Sequence, residues 1–345
     1  MAAAAAPGDA HAVTPQTPSG SKPTPGSERD FTAALARFLP ARDDVVVGIG
    51  DDAAVVRNQK GRSVMCCDPV IAGVHFAAAA PLRLVGRKAI NRNLADLAAM
   101  GAVPDHLLVS VVFPPGFPSR SQRQLFLGLR AAAAAANCVI VGGDVAVGPG
   151  PLVVTTTAIG HLPGRALLRS GARVGDTLHV TGPLGGSIAG HHLRFSPPLA
   201  EGVWLAGQRR VHAAMDVSDG LVLDLHTLLQ ASGCAGAELD AGAVPIRAAA
   251  RRLAQSGGAT ALQRALGDGE DHVLLWSQAA GELAAGGPLT HRARRPIGRV
   301  LDVAGLWLRH ADGRRERLLV RGFEHDLTGA HRPPSARSGR HRAPR

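Results

Sequence analysis

Aspartates recur just after short apolar runs, mostly with glycine close by, at four places along the chain. GIGDDAAVV supplies Asp51 and Asp52, CCDPVIAGVHF supplies Asp68, VGGD supplies Asp144, and MDVSDGL supplies Asp216 and Asp219. The stretch NRNLADLAAMG adds Asp96, three residues after Asn93 and so on the same face of a helix. A hard cation such as Mg²⁺ is held by a few carboxylates together with substrate phosphate oxygens, and strand-end loops with glycines for close backbone approach suit such a site. Each aspartate also has a plainer reading. Gly-Asp after a strand is commonly a turn, Asp216 or Ser218 could N-cap the helix that follows, Asp144 could close an Asx-turn, and Asp96 could be a solvated helix residue. Their joint occurrence, with Lys88 the one lysine near them, favours a polyvalent metal site.

The usual phosphate cradles are missing. The chain has no G-x-x-x-x-G-K-[ST] and no G-x-G-x-x-G, with Gly48 and Gly50 offering only part of the latter. No G-x-S-x-G elbow supports a serine hydrolase. If a nucleotide is handled, metal ions must take the charge-neutralising role that a P-loop lysine would share.

The elements that must position these residues follow from periodicity and turn chemistry. Residues 1–27 are Ala/Pro/Gly/Ser/Thr-rich without periodicity and read as a disordered arm. Order begins near Phe31, where Phe31, Leu35, Phe38 and Leu39 share a helical face. Short strands are expected at Val45–Val47 and around Ala54–Val56, then SVMCCDP as a strand ending in Asp68. KAINRNLADLAAM is a helix stopped by Gly101, HLLVSVVFP a strand, SQRQLFLGLRAAAAAAN a helix, CVIVGGD a buried strand and LVVTTTAIG another strand. This α/β unit runs to about residue 160. A second unit contains a strand at Thr177–Thr181, a strand-turn-helix over AAMDVSDGLVLDLHTLLQASG ending at Gly233, the strand HVLLW, and terminal strands around Leu306–Leu308 and Leu318–Val320. The alternation predicts an α/β or mixed α+β architecture, and no repeat period is visible.

Composition excludes several classes. At 345 residues there is room for one large or two ordinary domains, and no run reaches the roughly 18 apolar residues of a membrane span. The opening MAAAAAPGDAHAV lacks a secretory pattern, so the expected location is cytoplasmic. Cys66, Cys67, Cys138 and Cys234 show no C-x-x-C spacing, which indicates neither a zinc ribbon nor a disulfide framework. The net charge of +11 includes five arginines in the last fifteen residues, and there is no tyrosine to stack bases, so nucleic-acid binding is disfavoured.

Read as a set, GIGDDAAVV, D-x-x-x-x-GVHF, NLADLAAMGAVP, GGD, RSGARVGD-(x)₄-TG-x-LG, MDVSDGL, GED-(x)₂-LL and GFEHD resemble, in order, the motifs of thiamine-phosphate kinases, over roughly residues 28 to 326. That family lies within the aminoimidazole ribonucleotide synthetase-like ATP-binding superfamily. The resemblance implies an N-terminal ATP/Mg-binding domain at 28–160 with a dimer-forming sheet, an α/β C-terminal domain at 161–327, and a basic disordered tail at 328–345. It implies several Mg²⁺ ions held by Asp52, Asp68, Asp96, Asp144, Asp216 and Asp219, with Cys66 and Cys67 at the same site through their backbone carbonyls. Gly143, Asp144, Arg169 and Ser218 would contact ATP, and His75, Glu270 and Phe323 the thiamine phosphate. The implied reaction is direct transfer of the γ-phosphoryl group to thiamine phosphate, giving thiamine diphosphate, in a homodimer.

Three positions depart from the family pattern. Cys66-Cys67 replaces Ser/Thr-Thr, Asp268–Leu274 replaces G-G-E-D-Y-E-L, and Pro197-Pro198 replaces Pro-Arg. Other readings are a same-superfamily enzyme with another small acceptor, or a non-catalytic nucleotide- and metal-binding homologue. Selenophosphate synthetase is disfavoured because no N-terminal glycine-rich segment carries a reactive Cys and Lys.

Overall fold

The computed structural model describes residues 34–40, 42–49, 54–57, 61–320 and 322. The expected arms at 1–27 and 328–345, and the candidate residues Asp52 and Phe323, lie outside the described residues. Strands β1 (Val45–Val47) and β2 (Val55–Val56) pair antiparallel as a small separate sheet.

The first half is a four-stranded sheet of β3 (Ser63–Ile71), β4 (Val103–Phe113), β5 (Val139–Val147) and β6 (Val153–His161), in the order β3-β6-β4-β5. Only β4 and β5 run parallel, joined through the helix α2 (Ser119–Ala135). Along β6, Val154, Thr156, Ala158 and Gly160 are buried and the residues between them half-exposed, the period-2 mark of a sheet covered on one face. The cover is α2 and the longer helix α1 (Leu82–Ala99). These two helices cross closely because a Cβ at Gly86 would meet the Leu125 carbonyl at 2.3 Å, and one at Gly128 the Arg83 carbonyl at 2.0 Å. The opposite face, with Met65 at 67% exposure, Cys67 and Leu108, is open to solvent.

The second half is a seven-stranded sheet ordered β13-β12-β9-β11-β7-β10-β8. Its strands are β7 (Thr177–Val180), β8 (Val211–Asp216), β9 (Gly236–Asp240), β10 (Leu274–Gln278), β11 (Gly298–Leu301), β12 (Gly305–Arg309) and β13 (Arg315–Leu318). Neighbours are antiparallel except β9 and β12. A core of Leu178, Met215, Leu225, Leu228 and Leu275 packs this sheet against α4 (Leu221–Ser232), with α3 (Leu199–Ala206) lying outside it. Gly233, left-handed at φ 67°, ends α4 as the sequence pattern predicts.

A third core joins the halves. Ala98 and Ala99 of α1 pack against Leu205, Ala206, Ala214 and Trp276. Most of α1 is therefore buried, including Lys88, Asn91 and Asn93, which makes it the central element rather than a one-sided surface helix.

Several boundaries differ from the expectation. Strand β3, expected to end at Asp68, runs on to Ile71 because β6 pairs with it along its whole length, so Asp68 lies inside the strand. Helix α1 begins six residues earlier than the sequence pattern suggests, directly after Pro81, whose ring suits a helix start. Strand β5 is buried only at Val139–Val141 and continues exposed to Val147, because it is an edge strand that outruns its helices. Strand β13 ends at Leu318, since the Asp312-Gly313 turn starts the return strand earlier than expected.

Candidate active site

The seam between the halves opens into a cavity of about 700 Å³. One wall is β3 with Cys66, Cys67 and Asp68, followed by His75 in the next turn; α1 adds Arg92 and Asp96. The other wall is Arg169, the end of β8 with Asp216, the turn Ser218-Asp219, and the loop carrying Asp268, Glu270 and His272.

Asn93, fully buried, ties β3 to α1. Its Oδ1 accepts the Asp68 N–H at 3.0 Å, its carbonyl accepts the Cys66 thiol at 3.3 Å, and its Nδ2 donates to the Ala89 carbonyl. Asp68 is thereby set beside Asp96, one turn further along the helix. Burial, then the charges of Asp216 and Asp68, push the Asp96 carboxyl up to about 8. Asp219 is also raised, by burial and then Asp216. Arg92 stands in ion-pair geometry with this group, its Nε 3.4 Å from Asp68 Oδ2. The Cys66 thiol is pushed up by burial and by Asp96 and Asp68, so it is a neutral SH in this setting.

Asp216 is the last residue of β8, opposite Leu274 of β10. The turn behind it is closed by Asp224 in the first turn of α4, whose Oδ2 accepts the Asp219 and Gly220 N–H groups, both at 3.1 Å. Burial, then Asp216 and Asp219, raise Asp224 to about 8. The facing loop is pinned residue by residue. Asp268 accepts from the Gly186 N–H, and Asp271 accepts from Gly185 N–H and pairs with Arg247. Glu270 and His272 are left-handed at φ 51° and 48°, and their N–H groups donate to Ser218 and Val217 carbonyls. His272 stacks on Phe195 with ring centroids 4.3 Å apart, and its Nδ1 lies 3.3 Å from Asp216 Oδ2. Both Glu270 oxygens accept from Lys88 Nζ, at 2.6 and 2.8 Å. The imidazole of His75 accepts the Ile71 N–H at Nδ1.

The structure thus gathers Cys66, Cys67, Asp68, His75, Asp96, Arg169, Asp216, Ser218, Asp219 and Glu270 around one cavity. It does not bring Gly143 and Asp144 there. The register runs Asp68–Thr156–Val109–Gly143 across the sheet, so Gly143 stands three strands from Asp68, roughly 14 Å at ordinary strand spacing. Asp144, one residue on, falls in the row with Pro69 and Ser110, and is exposed. Sequence reasoning missed Arg92, Asp224, Asp268 and His272, and saw Lys88 only as a nearby charge. Asp224 carried a signal, an acid in the first turn of a helix after S-D-G; the others carried none.

Among the described residues, no three His, Cys, Asp or Glu side chains stand close enough together to enclose a metal by themselves. The donor chemistry nevertheless fits Mg²⁺. Asp68, Asp96, Asp216 and Asp219 are hard oxygen donors; burial, and then the neighbouring carboxylates, raise Asp96 and Asp219, and a small cation completed by phosphate oxygens would relieve that crowding. No helix among the described residues is long and apolar enough to cross a membrane.

Comparison with known proteins yields consistent relatives. Residues 50–162 match the family model of the AIR synthase related protein N-terminal domain. The thiamine-monophosphate kinase of Rhodopirellula baltica is 38% identical over 316 residues, covering 87% of this chain and 98% of that protein. The solved thiamine-monophosphate kinase of Stenotrophomonas maltophilia K279a superposes with a TM-score of 0.69 at 31% identity, covering 82% of this chain and 95% of the other. HypE of E. coli, a hydrogenase maturation protein, gives a TM-score of 0.68 at 20% identity over 85% of this chain and 98% of its own, which shows a shared fold alone.

Proposed function

This chain belongs to the thiamine-monophosphate kinase family, and from that premise we propose that its cavity transfers the γ-phosphoryl group of ATP to the phosphate of thiamine phosphate, giving thiamine diphosphate and ADP. The observation that carries the reading is the convergence of Asp68, Asp96, Asp216 and Asp219 from both halves of the molecule on one cavity. An acyl- or glycosyl-transfer site would need a nucleophile or a general acid–base pair. Four carboxylates crowded beside two arginines, Arg92 and Arg169, suit a reaction between two anions bridged by metal ions.

The acceptor oxygen is already an anion, so no side chain has to remove a proton. A P–O bond forms from that oxygen to the γ-phosphorus as the bond to the β–γ bridging oxygen breaks, and ADP leaves with the electron pair. Asp68, Asp96, Asp216 and Asp219 would hold Mg²⁺ here, which when bound neutralises the phosphate charges and aligns them. Asn93 holds Asp68, and Asp224 holds Asp219, through their backbone N–H groups. Arg169 and Ser218 would take the nucleotide side. His75 and Glu270 would take the acceptor side, with Phe323 stacking on its ring.

Two copies pairing through the open face of the first sheet fit Met65, Cys67 and Leu108, which are exposed there. Asp144 and Gly143, distant from the cavity of their own chain, would then act within the homodimer.

The test is steady-state kinetics with each substrate varied separately. Thiamine phosphate should turn over with ATP and Mg²⁺, thiamine should be a poor acceptor, and Phe323→Ala should raise KM for thiamine phosphate about tenfold while sparing ATP. Turnover of another small acceptor but not of thiamine phosphate would refute the substrate and keep the fold-level chemistry.

A further inference from the structure

Lys88 lies at the middle of α1 with 0% of its surface exposed. Burial drives an ammonium toward its neutral form unless acceptors meet it, and here all three N–H groups are met. Nζ donates to the His75 main-chain carbonyl at 2.5 Å and to the two Glu270 oxygens at 2.6 and 2.8 Å. No donor is left for a ligand, and Lys88 does not line the cavity although both its partners do. Those partners come from opposite halves: His75 follows β3, while Glu270 sits 182 residues away from Lys88 in the loop before β10.

A bond serving cohesion alone has no reason to end on two cavity residues, because the seam already has an apolar core at Ala98, Leu205 and Trp276. Burial is the largest influence on Glu270 and acts to raise its carboxyl, but the Lys88 charge and hydrogen bonds, with His272 and His192, together hold it below the ordinary value. His272 and His192 are the other titratable groups facing Glu270, and Arg92 faces Lys88. Resting on the acceptor-side reading above, we propose that Lys88 is a positioning residue: it locks the Glu270 carboxylate and the His75 main chain to each other across the seam, and so sets the acceptor pocket without touching either substrate.

Without the ammonium, Glu270 keeps a poorly compensated charge and turns toward water or takes a proton. The test compares Lys88→Met, Glu270→Gln and the double variant, the double removing the orphaned charge so that the protein stays folded should Lys88→Met alone fail. Lys88→Met should raise KM for thiamine phosphate about tenfold or more and leave KM for ATP within about twofold. The double variant should be no worse than Lys88→Met, because the two residues act as one unit. An unchanged KM for thiamine phosphate, a parallel rise for ATP, or multiplying effects in the double variant would overturn the proposal.

Amide hydrogen exchange gives a readout without substrate. In Lys88→Met, or in the double variant, residues 72–76 and 268–271 should loosen together while β7, β8 and β10 keep their protection. Absence of that joint loosening refutes the positioning role. A wild-type protein that does not turn over thiamine phosphate refutes the functional reading instead.

Discussion

Replacing Asp96 by asparagine should make the metal-free protein more stable, and the gain should depend on pH. The folded carboxyl is raised to about 8 from the ordinary aspartate value, so between about pH 4 and 8 the folded state holds a proton that the unfolded chain has released. The sign follows from linkage: a raised carboxyl costs nothing below about pH 4, and the cost grows until pH reaches about 8. A shift of that size is worth about 5 kcal/mol at the top of the window. The charges of Asp216 and Asp68 share in raising Asp96, so the gain from removing its charge is set at about half of that, ~2 kcal/mol. At roughly 2 °C per kcal/mol for a chain of this size, the Asp96→Asn midpoint should exceed wild type by about 4 °C at pH 8 in EDTA. The two should coincide near pH 4.5. Saturating Mg²⁺ and ATP should reverse the order, because ligands stabilise whichever protein binds them better. Thermal unfolding from pH 4.5 to 8, with and without Mg²⁺, is the assay. A variant no more stable than wild type at pH 8, or equally stabilised at pH 4.5, would show that burial beside Asp216 and Asp68 does not raise Asp96.

Asp219→Asn should lower turnover by at least about a hundredfold with an unchanged circular dichroism spectrum, since it removes a charge that faces the phosphates. Asp271→Asn should cost about 3 kcal/mol in denaturant unfolding, because it weakens the buried pairing of Arg247 and Gly185 with one acceptor group. Gly128→Ala should cost roughly 1–3 kcal/mol, as its Cβ would lie 2.0 Å from the Arg83 carbonyl and force α1 and α2 apart. Equal stability to wild type in either of these last two would contradict the packing described.

Local chemistry made the carboxylates at strand ends legible from the sequence. An apolar run fixes a strand and the glycine or aspartate after it favours a turn, which holds for Asp216 at the end of β8 and Asp219 in the turn beyond it, with Asp96 on a helix ended by Gly101; Asp68 instead stands inside β3, which runs on to Ile71. The resemblance to the family motifs then implied a shared role for those residues. Pairings between distant segments left no such trace. Lys88 and Glu270 lie on different halves, and only the packing of α1 into the seam buries the lysine and turns its charge onto that loop. His272 reaches Asp216 because β10 pairs with β8 in one register, and a one-residue slip would turn the ring elsewhere. Asp144 shows the opposite case. Its Gly-Gly-Asp motif was plain in the sequence, yet the strand order β3-β6-β4-β5 carries it to the edge of the sheet away from the cavity. Sequence decides which residues stand at loop ends, because turns and periodicity are local. Strand order and register, set by burial of both halves at once, decide which of those ends meet.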